Sequence, residues 1–255
     1  MLSPFVGSLQ TVFVIISHTC DLEKTVRYFL FFLYKSSAAN GGQAVIYKVP
    51  QFMYNVDMER DRMKKHLFLI GPAGYGKTGM IKRALEDKLP LAGGFVTVRV
   101  LDETGKIVGL ELLPAAAAGG VEGFEGERFL DCSVIPNTHD NEVFRTTGVR
   151  LLKEAEYYPF AVLDEFGGFE LIVPEFREAL LDLLSDEQPC IGVLKSPPDA
   201  ETLKRQLSLG DRYTRLLSSL TEALRNDPDT LILEVGSPND EKALRAVQAW
   251  AKEYT

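Results

Sequence analysis

The sequence predicts an α/β fold, with a mostly parallel central sheet covered by helices on both faces. Three observations lead there. Four short apolar runs recur along the chain: Leu67 to Ile70, Phe160 to Leu163, Cys190 to Leu194 and Thr230 to Val235. Each is too short for a helix and lacks polar alternation, the pattern of a strand buried on both faces. Segments with helical spacing separate them, and strands alternating with helices imply parallel pairing through right-handed crossovers.

The elements follow in order. Met63-Lys64-Lys65-His66 leads into the first core strand, and a helix is expected from Lys77 to about Lys88. Gly93-Gly94 opens an extended stretch, Phe95 to Leu101. The turn signal Asp102-Glu103-Thr104-Gly105 and a second extended stretch, Ile107 to Leu113, complete a β-hairpin inserted after the first helix. Ala115 to Gly126 reads as a mobile surface loop, and Phe129 to Ile135 as a third strand of this insertion. A helix is expected from about Asn141 to Tyr157. Pro174 sits at a first helical position, with Phe176, Ala179, Leu180, Leu183 and Leu184 on one face. Thr202 to Arg225 is helical with a break near Gly210. Ser237-Pro238 precedes a capped terminal helix, Asn239 to Glu253, on which Trp250 packs inward.

Residues 1–62 differ from the rest. Phe and Tyr cluster at residues 28–34, Ser36 to Gly42 reads as a loop, and Val45 to Val49 as a short strand ended by Pro50. No motif with a chemical mechanism lies here. Two readings stand side by side: a genuine N-terminal extension, or a domain whose translation starts at Met63, Met53 or Met58. The organised domain is therefore 63–255, and intact mass of the native protein separates the two readings.

Composition narrows the function classes. The chain has 255 residues, 45% hydrophobic and 25% charged, with a formal net charge of −8. A surplus of carboxylates is a poor footing for general nucleic-acid binding. Val12 to Ile16 and Tyr28 to Tyr34 are apolar but far shorter than the ~20 residues of a membrane-spanning helix. The start has neither the basic region nor the cleavage site of a signal peptide. Cys20, Cys132 and Cys190 are scattered, which fits buried small side chains in a reducing cytoplasm.

The residues that carry chemistry begin at Gly71. Gly71-Pro72-Ala73-Gly74-Tyr75-Gly76-Lys77-Thr78 matches G-x-x-x-x-G-K-[ST] in full, between a strand and a helix. The glycines let backbone N–H groups turn inward around phosphate oxygens, and the helix beginning near Lys77 points its positive end at them. Such a loop binds a nucleoside triphosphate with magnesium. Lys77 reaches the β- and γ-phosphates and the Thr78 hydroxyl ligates the metal. The second long core strand ends in Asp164-Glu165. Beside a complete phosphate loop, Asp164 is assigned to the magnesium and Glu165 to orienting and deprotonating the attacking water.

Beyond these motifs, Gly93-Gly94-Phe95 with Thr97, Gly105, Gly109 and Leu163 to Leu171 with Phe176 occur in an order and spacing that resemble one family. It is the nucleoside-triphosphatase family first named from thermophiles, also called cancer-related nucleoside-triphosphatase, within the P-loop NTPase superfamily. The likeness is clear from Lys65 to Leu194 and looser beyond. It implies a RecA-type or kinase-type P-loop fold with the hairpin insertion, and slow hydrolysis of ATP, GTP and other nucleoside triphosphates to diphosphate and phosphate. The family's Asp-Glu-Ile-Gly-x-Met-Glu-Leu stretch maps onto Asp164 to Leu171, with Phe166 and Phe169 as apolar replacements. Val98-Arg99-Val100-Leu101 departs from the family's acidic and arginine positions, so no role carries over to Arg99.

Other residues carry weaker signals. Glu170 either assists near the metal or caps a turn. Lys195 either touches the γ-phosphate or is a solvated loop lysine, the plainer reading. Arg145 and Arg150 belong to a solvated helix face, and His66 and His139 read as exposed polar residues. No guanine-recognition element distinguishes GTP from ATP. Two rivals share the same loop. A nucleoside or nucleotide kinase would use Lys204, Arg205, Arg212 and Arg215 in a lid spanning Ser196 to Arg215. A nucleotide-dependent switch would contact a protein partner through Ala115 to Gly126 or the N-terminal segment.

Overall fold

The structure is a computed structural model, and it describes residues 14–20, 26–32 and 63–255. The chain divides into two units, Met1–Arg62 and Met63–Thr255. In the first, β1 (Val14–Cys20) pairs antiparallel with β2 (Val26–Phe32). The expected loop at Ser36 to Gly42 and strand at Val45 to Val49 lie outside the described residues.

The second unit is built on an eight-stranded sheet. In chain order its strands are β3 (His66–Ile70), β4 (Ala92–Leu101), β5 (Ile107–Pro114), β6 (Glu127–Asp131), β7 (Thr138–His139), β8 (Phe160–Phe166), β9 (Cys190–Leu194) and β10 (Thr230–Glu234). Their spatial order is β10-β3-β9-β8-β4-β5-β6-β7. The pairings from β10 through β4 are parallel; those from β4 through β7 are antiparallel. The hairpin insertion therefore widens the main sheet rather than standing apart from it.

One core strand is hidden in the sequence. Ala92 to Phe95, the first half of β4, pairs parallel with Phe160 to Leu163 of β8, so the hairpin's first arm is also a central strand. Its Gly93-Gly94 lacks the branched side chains that mark strands. The structure shows why glycine stands there: at Gly94, with φ of 82°, an added Cβ would lie 2.3 Å from the Val162 carbonyl oxygen.

Helices cover both faces. They are α1 (Lys77–Leu85), α2 (Asn141–Val143), α3 (Val149–Glu154), α4 (Pro174–Ser185), α5 (Pro197–Gln206), α6 (Asp211–Asn226) and α7 (Glu241–Tyr254). β3 shows how the sheet divides the core. Leu67 and Leu69 join Met80, Ile81, Val247 and Trp250 from α1 and α7. Phe68 and Ile70 face the other way, into the cluster with Phe166, Phe176 and Leu217. Alternation by twos with both faces buried is what a continuous apolar run delivers in a covered parallel sheet. Trp250 donates its indole N–H to the Lys65 carbonyl at 2.9 Å, fixing the terminal helix to the start of β3.

Several local expectations are corrected. Ala115–Gly119 is a short 3-10 helix with Ala115 and Ala116 buried, so only the following stretch is an exposed loop. Small side chains let it pack under the 3-10 turn Glu86–Leu91. The helix expected from Asn141 to Tyr157 is interrupted by a π-helical segment, Phe144–Gly148. There Gly148 meets the Phe176 ring, which an added Cβ would approach to 2.8 Å. The terminal helix is capped by Asp240, whose carboxylate accepts from the N–H groups of Lys242 and Ala243, not by Ser237. The break at Gly210 lies between α5 and α6, as the spacing predicts.

His66 is fully buried at the first position of β3, with its ring stacked on Phe68. Burial, reinforced by Lys65, lowers its pKa from 6.5 to about 4. His139 lies on β7 with its ring 4.7 Å from that of Phe169. Neither is the exposed histidine the sequence suggests: both polar rings serve as aromatic packing surface.

Candidate active site

Because the five central strands run parallel, their carboxyl ends share one edge, and ligand-binding crevices of open α/β sheets form at that edge. The phosphate loop follows β3 there, and Asp164-Glu165 lies near the end of β8. β9 runs between them, so the two segments start two strand spacings apart, about 10 Å. The loop and α1 then reach across that gap.

Gly71, Gly74 and Gly76 all adopt positive φ. At Gly71 an added Cβ would stand 2.6 Å from the Val235 carbonyl oxygen, so the loop leaves the sheet against β10's end without room for a side chain. Gly76, in the left-handed region, precedes α1, and no side chain among the described residues caps that helix. Its first-turn N–H groups and the positive end of its dipole stay directed at the crevice. Pro72, Ala73 and Gly74 are exposed, whereas Tyr75 packs partly against the core formed with α1 and α7.

Lys77 folds back over the loop, its ammonium donating to the Gly71 carbonyl at 2.6 Å and to the Pro72 carbonyl at 2.7 Å. Only 9% of the residue is exposed. Burial lowers the lysine pKa, with Lys195 acting in the same direction, while Asp199 and Glu165 oppose the fall. The Thr78 hydroxyl donates to Asp164 Oδ1 at 2.7 Å, bridging α1 and β8. Asp164 is 3% exposed, and burial raises its carboxyl pKa to about 6 despite the Thr78 hydrogen bond. A buried carboxylate beside a hydroxyl is an oxygen pair suited to a hard cation, whose charge would offset the desolvation. Among the described residues no three His, Cys, Asp or Glu side chains gather into a metal site of their own.

Glu165 owes its place to a backbone irregularity. Leu163 pairs with Gly192 and Phe166 with Leu194, so three steps along β8 match two along β9. The extra residue makes a β-bulge, and Glu165 takes a φ of 59°, a conformation seldom adopted by a glutamate. In a regular strand neighbouring side chains point to opposite faces. Here Asp164 and Glu165 both line one cleft of about 460 Å³, together with Lys77, Thr78, Lys82 and Arg99. Thr97 donates to the Asp164 carbonyl at 3.3 Å and ties β4 to this bulge.

The open alternatives resolve differently. Glu170 is 4% exposed, and its Oε1 accepts from the N–H groups of Gly167 and Gly168, both at 2.7 Å. It caps the turn after β8. Tyr213 completes that turn by donating to the Gly167 carbonyl at 3.1 Å. Lys195 borders the crevice: it lines a small hollow of about 40 Å³ with Glu165, Glu170 and the rings of Phe129, Phe144 and Phe169. Arg145 pairs with Glu142 and Glu175, and Arg150 with Glu154, on an exposed face as expected. The supposed lid is two ordinary helices, α5 and α6. Lys204 is held by Asp211 and Glu201, and Arg205 by Thr202.

Lys82 and Asp199 escaped the sequence reading, and Arg99, to which no role was carried over, lines the cleft as well. Lys82 stands four residues after Thr78, a helical spacing that could have found it. Ser196 caps α5 by accepting from the Asp199 N–H, and its hydroxyl donates to the Asp199 carboxylate, a Ser-x-x-Asp spacing that marks a helix start; that Asp199 also lines the crevice is decided only by the fold.

The family model described as NTPase matches residues 66–243. The cancer-related nucleoside-triphosphatase homolog of Mus musculus is 30% identical over 136 residues, 48% of this chain and 70% of that protein. Nucleoside-triphosphatase THEP1 of Thermotoga sp. (strain RQ2) is 29% identical over 177 residues, 66% of this chain and 94% of that protein. The crystal structure of THEP1 from the hyperthermophile Aquifex aeolicus aligns with a TM-score of 0.49 at 16% identity, over 73% of this chain and 99% of that one. With a complete phosphate loop at the head of the matched region, the chain belongs to this NTPase family.

Proposed function

We propose that residues 63–255 form a magnesium-dependent nucleoside-triphosphatase that hydrolyses ATP, GTP and other nucleoside triphosphates to diphosphate and phosphate. The observation that carries this reading is the meeting of Lys77, Thr78, Asp164 and Glu165 in one cleft at the uncapped start of α1. In this reading the loop from Gly71 to Thr78 wraps the phosphates. Lys77 leaves its two carbonyl partners for the β- and γ-phosphate oxygens, stabilising charge as it develops. When bound, magnesium supplies positive charge to the same oxygens, and Thr78 and Asp164 are the residues that would hold it.

Glu165 orients a water and takes its proton as the oxygen attacks the γ-phosphorus. The bond from phosphorus to the β,γ-bridging oxygen breaks, and its electron pair leaves with the diphosphate. The bulge supports this role, because it sets a carboxylate that has no side-chain hydrogen bond among the described residues beside the one that meets Thr78. A kinase on the same core gains little from two of the lid cations, since Lys204 is held by Asp211 at the start of α6 and Arg205 by Thr202; Arg212 and Arg215 form no ion pair with a described residue. The net charge of −8 argues against nucleic acid as a partner. Among the described residues no helix is long and apolar enough to cross a membrane. We assign the protein to the cytoplasm on its scattered cysteines.

The test is phosphate release from ATP, GTP, CTP and UTP, with magnesium and with chelator, for the native protein, Lys77→Ala and Glu165→Gln. Broad, slow, magnesium-dependent turnover is expected, lost in both variants, with Glu165→Gln still binding nucleotide. Normal turnover by Glu165→Gln would overturn the base assignment, and normal turnover by Lys77→Ala the whole site.

A further inference from the structure

We infer that Arg99 is a catalytic residue that contacts the γ-phosphate, a positive charge supplied from within the chain where many phosphate-loop enzymes borrow one from a partner. The inference rests on the cleft proposed above for nucleotide and deepens that reading.

Three observations converge on it. The first is direction. Thr97 and Arg99 are two apart on β4 and so share a face of the strand. Thr97 reaches the Asp164 carbonyl, which points that face at the bulge. Arg99 is paired across the sheet with Leu110, and both line the same crevice.

The second is position. Two open clefts adjoin at this edge of the sheet, one of about 460 Å³ over Thr78 and Asp164, the other of about 290 Å³ toward α5. Arg99 lines both, as do Lys77 and Glu165. The place shared by the lysine that grips the terminal phosphate and the glutamate that aims its water is the place of the γ-phosphate.

The third is charge. Carboxylates outnumber Lys and Arg by 36 to 28. Arg128, Arg145, Arg150 and Arg245 each hold one, whereas Arg83, Arg212, Arg215 and Arg225, like Arg99, hold none among the described residues; what sets Arg99 apart is that it alone of these unpaired arginines lines the cleft of Lys77, Thr78, Asp164 and Glu165. Arg99 forms no ion pair with a described residue, although it is exposed enough to find one. A guanidinium left free beside a phosphate loop keeps its forked donors for phosphate oxygens. Charge on the γ-phosphoryl oxygens is redistributed as the bridging bond breaks, so a donor held there acts chiefly in the transition state.

The step is the hydrolysis already written. Arg99 donates hydrogen bonds to γ-phosphoryl oxygens while Glu165 takes the proton of water, and it exchanges no proton itself. An arginine delivered to this position is worth about a thousandfold or more in turnover in phosphate-loop enzymes.

The experiment compares the full-length native protein with Arg99→Ala and Arg99→Lys. It follows steady-state hydrolysis, binding of diphosphate, and binding of diphosphate with aluminium fluoride, a mimic of the γ-phosphoryl group in transfer. For Arg99→Ala, kcat is expected to fall by about a thousandfold or more, with KM and diphosphate affinity within about threefold. Retention of the aluminium fluoride complex is lost, and Arg99→Lys recovers part of both losses. A merely structural residue would lower thermal stability and diphosphate affinity together, and would leave binding of the mimic in step with diphosphate. Turnover of Arg99→Ala within about threefold of native overturns the inference, as does unchanged binding of the mimic. Failure of the site reading would look different: Lys77→Ala and Glu165→Gln would retain activity whatever happened at position 99.

Discussion

Replacing Asp164 by Asn tests whether the cleft carries a cost in the absence of metal. The Asp164 carboxyl sits 3% exposed, and burial moves its pKa from 3.8 to about 6. A raised folded-state pKa means that the folded protein binds a proton more tightly than the unfolded chain. Stability attributable to this group is therefore fullest below about pH 4, and it is lost as pH rises through about pH 6. At about 1.4 kcal/mol per pH unit, the ionised carboxylate costs the metal-free fold about 3 kcal/mol at about pH 7.5. Asn is nearly isosteric, keeps an oxygen to accept from Thr78, and never ionises. Urea denaturation in chelator should show Asp164→Asn more stable by about 3 kcal/mol at about pH 7.5, the gap closing to about 0.5 kcal/mol at about pH 4. Magnesium with a nucleoside triphosphate should stabilise the native protein and do little for the variant. Hydrolysis by the variant should be almost lost. Equal stability of the two proteins at about pH 7.5, or a gap that ignores pH, would refute the reasoning.

His66 has the opposite sign. Its folded pKa is lowered from 6.5 to about 4, so acid favours the unfolded chain: the cost is absent above about pH 7, grows through the window between the two values, and is complete below about pH 4. Between about pH 7.5 and pH 5 the native protein should lose about 2 kcal/mol more than His66→Leu, read by urea denaturation. Gly94→Ala forces a Cβ to 2.3 Å from the Val162 oxygen at a φ of 82°, and should lower stability by about 3 kcal/mol, seen as a melting-temperature drop of about 10 °C. Glu170→Ala strands the N–H groups of Gly167 and Gly168, and should cost about 2–4 kcal/mol in chemical denaturation, with Glu170→Gln losing less because an acceptor oxygen remains.

Much of the fold was legible because the core strands are buried on both faces. Leu67 to Ile70, Phe160 to Leu163 and Cys190 to Leu194 could not be read as anything else of that length, and each lies where its apolar run places it. The first half of β4 was not legible as a central strand, because the close approach of β8 demands glycines that look like a turn. Ala115 and Ala116 misled for a related reason: small residues mark both loops and tight packing, and only the neighbour, here the turn at Glu86–Leu91, tells which. The two histidines misled because polarity predicts exposure only when no aromatic surface is available to take up the ring.

By itself, the order of residues determined the parallel α/β class, and it pointed to Gly71 to Thr78 as a phosphate loop and to Asp164 and Glu165 as its partners. These are local or periodic features, and each carries its chemistry in its own spacing. The tertiary structure alone decided that β9 separates the loop from the acidic pair, that a bulge turns Asp164 and Glu165 into one cleft, that Glu170 caps a turn, and that Arg99 lines the same crevice with no ion pair among the described residues. The physical reason is distance along the chain. Arg99, Lys77 and Glu165 meet only after strands far apart in sequence have paired in register, and no spacing of residues records which strands those will be.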